Sequence, residues 1–95
     1  MATQTVTSTS DTAILSRLIR VEDENLSAPA AKAWLDIRFE QSDLDRMHEL
    51  TVKNQDDKLT AKEKDELGNY RRVSFLLDLM HSKARRSLKK TRSVH

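Results

Sequence analysis

Ninety-five residues, with 17 Lys and Arg against 15 Asp and Glu and a net charge of +2, make at most one small domain, because domains usually need roughly 100 residues. One Gly and one Pro supply too few turn residues for a hairpin-rich β fold, and 37% hydrophobic residues with only Trp34, Phe39, Tyr70 and Phe75 as aromatics leave a thin core. With no Cys, there is no disulfide framework, thiolate metal site or cysteine nucleophile, which fits a reducing compartment and makes the cytoplasm the expected location.

The first twelve residues are mostly Thr and Ser and read as a disordered tail. No Lys or Arg occurs before Arg17, so the start lacks the basic character of a secretory or transit signal, and no apolar run reaches the ~20 residues that a bilayer span needs. Ile14, Leu15, Leu18 and Ile19 then recur at helical spacing over about two turns, too short to be stable alone. This segment is expected to be a short helix or extended arm that closes the core; the competing reading is a docking peptide left open for a partner.

Ser27 or Ala28 as N-cap and Pro29 near the first helical position open a short helix that should end near Arg38, with Trp34 as its largest anchor. Ser42 with Asp43 and Asp45 opens a second, running to about Asn54 with Leu44, Met47 and Leu50 inward. Thr60 and Glu63 match a capping box, in which the hydroxyl accepts from the third amide and the carboxylate reaches back to the cap amide. The helix they start is the longest, from Ala61 to about Leu88, with Leu67, Tyr70, Val73, Leu76, Leu77, Met80, Ala84 and Leu88 in one broad stripe. Phe75 and Leu79 fall on the other side, so this helix needs cover on both flanks. Gly68, alone inside it, is expected to permit close approach of a neighbouring helix or Trp34. The expected fold class is therefore all-α: two short helices packed on one long C-terminal helix, with a short N-terminal arm. Residues 13–90 form the single helical domain, and 91–95 a disordered basic tail.

Charge is segregated. From Leu79 to His95 the chain carries Lys83, Arg85, Arg86, Lys89, Lys90 and Arg92 and no acid, a local +6. The helix dipole accounts for part of this cluster, since cations are favoured at a C-terminus. The remainder could engage nucleic acid or an acidic protein surface weakly and with salt sensitivity. No aromatic lies there to stack a base and no zinc-finger pattern exists, so sequence readout is not expected.

Catalytic and metal patterns fail in turn. The span Val52–Glu63 imitates a calcium loop, but its first position is Val52, which offers no side-chain oxygen, and its sixth is Asp57 where a Gly is required. His48, His81 and His95 are scattered without a second His at helical spacing, and no glycine-rich phosphate loop exists. No catalytic residue, metal or cofactor is expected, and the protein is expected not to be an enzyme.

The landmarks Leu26-Ser27 with Ala30-Ala31, Phe39, Asp43, Arg46-Met47, Glu49-Leu50, Leu59-Thr60, Glu63, Tyr70, Val73, Leu76-Leu77, Leu79 and Ser82 to Leu88 resemble a family of small uncharacterised bacterial helical proteins of planctomycetes and cyanobacteria. The segment Ala13 to Arg17 also resembles that family's start, so the likeness covers about residues 13 to 88. Genes of the family are associated with neighbouring predicted HNH-type endonucleases, which implies a nuclease as partner and transfers no catalytic residue. The turn before Leu59 departs from it, reading Asp57-Lys58 where relatives often show Gly.

The function expected is a non-enzymatic helical interaction module, an accessory or antitoxin-like partner of a nuclease. Its apolar anchors are Ile14, Leu15, Leu18, Ile19, Phe75 and Leu79, and Lys83, Arg85, Arg86, Lys89 and Lys90 supply steering charge. A homodimer is the other expected form of burial. The alternative function is a nucleic-acid-binding accessory protein using the basic end directly.

Overall fold

The computed structural model describes residues 9–93. Four helices occur in order, α1 (Asp11–Ile19), α2 (Ala28–Leu35), α3 (Gln41–Gln55) and α4 (Ala61–Ser93), and among the described residues there is no strand. The all-α class and the long C-terminal helix hold, and the arm is a helix. Two boundaries move outward. Asp11 and Thr12 belong to α1, because Ser10 caps it by accepting from the Ala13 amide at 3.2 Å, and α4 continues through residues 91–93. The remainder of both expected tails, residues 1–8 and 94–95, lies outside the described residues.

Local chemistry explains most helix ends. Ser27 Oγ accepts from the Ala30 amide at 3.2 Å, with Pro29 in the first turn where its missing N–H costs nothing. This helix stops at Leu35, short of Arg38, and residues 36–40 cross to α3 without helical structure. Glu40, rather than Ser42, occupies the N-cap of α3 and makes no side-chain cap bond. The capping box of α4 forms in both directions: Glu63 N donates to Thr60 Oγ1 at 3.1 Å and Thr60 N donates to Glu63 Oε1 at 3.0 Å. Asp57, at φ 57°, supplies the left-handed residue in the turn between α3 and α4, a conformation that Asp tolerates better than most residues.

Each shorter helix packs on α4 and none packs on another. Partner pairs fix the directions. Asp11 meets Arg72 at 3.2 Å and the Ile19 carbonyl meets Lys83 at 2.7 Å, so α1 runs parallel to α4. Leu26 meets Ser87 and Ile37 meets His81, so α2 runs antiparallel, as does α3, whose Asp43 meets Tyr70 and Lys53 meets Glu63. Thus α2 and α3 lie end to end along α4, separated by residues 36–40, and α1 takes another flank.

The core is correspondingly sparse: Ala31, Leu50, Leu67 and Ala84 are its buried apolar residues. Trp34 is only half-buried, so Ala31 rather than the indole centres α2. Leu44 and Val73, both expected inside, are exposed. A Cβ at Gly68 would meet only Arg72 Nη1, at 3.6 Å, so the expected close approach of a neighbouring helix or Trp34 is absent.

Candidate interaction surface

One small polar residue and one cation set the C-terminal end of the surface. Lys83 is 7% exposed, and its ammonium donates to the Ile19 carbonyl at 2.7 Å, satisfying an orphan acceptor at the end of α1. Ser87 is buried, and its hydroxyl accepts from the Leu26 amide at 3.2 Å. These bonds pin both ends of the connector 20–26 to α4. Lys83 therefore does not present steering charge to solvent as expected; burial has given its charge a structural partner.

Charge fastens the other end. Arg46 reaches from α3 to the Glu66 carboxylate with Nε at 2.6 Å and Nη2 at 2.8 Å, and also pairs with Glu49 on its own helix. Lys53 donates to Glu63 at 2.5 Å. Hydrogen bonding from Lys53, and then from the Thr60 amide, pushes the Glu63 carboxyl down to about 2. Arg46 holds the Glu66 carboxyl below its ordinary value, and the Asp43 carboxylate that accepts from Tyr70 at 2.8 Å raises the phenol. Glu63, Glu66, Asp43 and Tyr70 are thus each engaged in a hydrogen bond between α3 and α4. Among the described residues no group of three His, Asp or Glu side chains could hold a metal ion. His48 is exposed, and His81 Nε2 is engaged at 2.8 Å with the Ile37 carbonyl; His95 lies outside the described residues.

Between these two fastened ends, α4 has no helix over it on the α2–α3 side. The gap is an open groove of about 420 Å³ lined by Ile37, Phe39, Val73, Leu76, Leu77 and Met80, with Arg38, Glu40 and Asp43 at its rim. Phe39 and Tyr70 meet edge to face at 6.3 Å at the α3 end, where a second recess continues past Asn69. Val73 is 48% and Ile37 47% exposed. Sequence periodicity had assigned Val73, Leu76, Leu77 and Met80 to a covered stripe, and Ile37 had no assignment. The nearest signal in the sequence is the expected break between the two short helices, placed at Arg38 to Ser42 and wider in the structure, from Leu35 to Gln41.

The expected apolar anchors divide. Leu18 is 73% exposed and Ile14, its neighbour one turn earlier, is also exposed, whereas Leu15 and Ile19 turn inward and are half-buried. Phe75 is 39% exposed and Leu79 half-buried, on a part of α4 outside the groove lining. Arg85, Arg86, Lys89 and Lys90 are exposed near the end of α4, and the last three share a polar recess with Glu24. The anchors and the basic residues thus occupy several flanks rather than one patch.

Comparison of the chain with protein-family models, with curated proteins and with solved structures finds no match. No helix among the described residues is long and apolar enough to cross a membrane.

Proposed function

We propose that this chain is a non-enzymatic helical module that works by binding another protein chain through the apolar surface along α4 and α1. One observation supports the reading above others: the short helices pack only on α4 and leave Val73, Leu76, Leu77 and Met80 in an open groove, with Ile14 and Leu18 outward on α1. Apolar side chains left open in this way on a small chain are the kind of surface that a partner covers. The resemblance to proteins encoded beside HNH-type endonucleases adds a nuclease as the partner, which the module would restrain or assemble in an antitoxin-like role. Co-expression with the product of the adjacent gene tests this. A complex of the two purified chains, lost on Leu18→Asp or Val73→Asp and accompanied by altered nuclease activity, supports the reading. A complex unaffected by both substitutions sinks it.

A second reading rests on the exposed Arg85 and Arg86: direct, nonspecific contact with nucleic acid. Titration of duplex DNA and of RNA at rising salt separates the two. Affinity that falls steeply with salt and disappears in the double variant Arg85→Ala/Arg86→Ala supports this second reading.

A further inference from the structure

We infer that α1 and its connector, residues 11–24, form a removable cover over a row of cations on α4, and that the uncovered row takes the phosphate backbone of a nucleic acid. The inference rests on the second reading above and adds to it what holds that surface shut.

Spacing supplies the row. Arg72, Lys83, Arg86 and Lys90 stand 11, 3 and 4 residues apart on α4. These are near whole turns of an α-helix, so the four directions fall within about 60° over about 27 Å of rod. Asp78, the one carboxylate between residues 72 and 90, falls about a third of a turn away from them. Each member of the row meets the segment 11–24. Asp11 pairs with Arg72 at 3.2 Å, the Ile19 carbonyl accepts from Lys83 at 2.7 Å, and Glu24 lines one recess with Arg86 and Lys90. The segment itself carries four carboxylates, Asp11, Glu22, Asp23 and Glu24, against Arg17 and Arg20. It is an anionic occupant of the chain's own cationic row.

The cover is held lightly. No residue of α1 is buried, Leu15 and Ile19 being half-buried, and its ion pair with Arg72 is exposed and screened by salt. The hinge is strained, because Arg20, at φ 52°, occupies the left-handed region without being glycine, and lifting the helix relieves that strain. Lifting α1 releases Arg72 and Lys83 together, so the exposed row grows from Arg86 and Lys90 to all four. A row of one sign suits a polymer charged along its whole length, one phosphate per about 1.7 Å of duplex, since no register has to match. An acidic protein surface would have to place each carboxylate separately.

Fluorescence anisotropy with a short DNA duplex tests this on the full chain. Leu15→Ser/Ile19→Ser removes apolar contacts of α1 without changing charge, and amide protection in α2, α3 and α4 checks that the rest stays folded. This variant is expected to bind the duplex about tenfold tighter than the unsubstituted chain, because a mostly closed population lowers apparent affinity. Its plot of log K against log salt should be steeper by about two as Arg72 and Lys83 join the contacts, and adding Lys83→Met should remove about one of that. Asp11→Asn/Glu24→Gln leaves the apolar contacts in place and should tighten binding about threefold, the worth of an exposed ion pair. The matched pair Asp45→Asn/Asp56→Asn, away from the row, should not. If the first variant loses its fold, these two carboxylate pairs decide the matter.

Equal affinity of the opened and unsubstituted chains, with binding still lost in Arg85→Ala/Arg86→Ala, overturns the cover and leaves the second reading standing. Absence of duplex binding by every form overturns both. Equal gains from the two carboxylate pairs would reduce the effect to net charge and overturn the cover. Polyglutamate competing as well as the duplex would assign the row to an acidic protein and overturn the nucleic acid as its occupant.

Discussion

The two ends of α4 hold their companions by different physics. At the N-terminal end, α3 rests on buried Leu50 and is fastened at its rim by Arg46 with Glu66 and by Lys53 with Glu63. At the C-terminal end, α2 and the connector are held by small apolar residues, Ala31 and Ala84, and by side chains that capture backbone groups, Lys83 on the Ile19 carbonyl and Ser87 on the Leu26 amide. Rim ion pairs are solvated and weaken with salt or acid. Buried bonds to backbone are little screened, and losing one leaves a polar group stranded. The first end should therefore respond to solution conditions and the second to mutation of single polar residues. The groove between them exists because neither mode of attachment reaches the middle.

The largest expected effect probes the apolar part of the first end. Leu50→Ala removes a fully buried side chain and should destabilise the protein by about 3 kcal/mol in urea unfolding. In hydrogen exchange, protection should fall first in α3 and the start of α4, and less in α2. Equal loss in α2 would show that the two ends are one cooperative unit.

Next is Lys83→Met, which keeps much of the aliphatic stem but strands the Ile19 carbonyl. A cost of about 2 kcal/mol is expected, with α1 amides exchanging faster and α3 amides unchanged. Stability equal to the unsubstituted chain would show that the 2.7 Å bond contributes nothing net.

The smallest effect is the pH response of the first end. Glu63 is lowered from 4.5 to about 2, so the stability it contributes is fully present above its unfolded value and is lost as pH falls through the folded one. Acid titration followed by NMR should show the Glu63 carboxyl protonating near pH 2, with α3 loosening between about pH 4.5 and 2. In Lys53→Met its midpoint should move up toward 4.5, because the strongest cause of the depression is gone. An unmoved midpoint would assign the shift to the Thr60 amide instead.

Much of the secondary structure was legible because its signals are local. The Thr60–Glu63 box, Ser27 with Pro29, and the 3.6-residue spacing along α4 act within one or two turns of the chain. The candidate surface was legible in part. Leu18 and Phe75 were singled out from periodicity and are exposed, but Lys83 was counted among the steering charges although it is buried. A helical wheel gives the direction of a side chain, not what lies in that direction. Val73 and Ala84 sit on the same stripe, yet one is open and the other closed, because α2 ends before it can cover the first.

By itself, then, the sequence determined that this chain is helical, that α2 and α4 begin at capped polar residues, Ser27 and Thr60, and that charge is graded along the last helix, since each property depends on neighbours in the chain. Only the tertiary structure decided that α2 and α3 stop short of one another over α4, that Lys83 and Ser87 spend their polar groups on the connector, and that an apolar groove stays open at the rod's centre. Those outcomes depend on where separate segments meet in space, and burial is a property of that meeting rather than of any one segment.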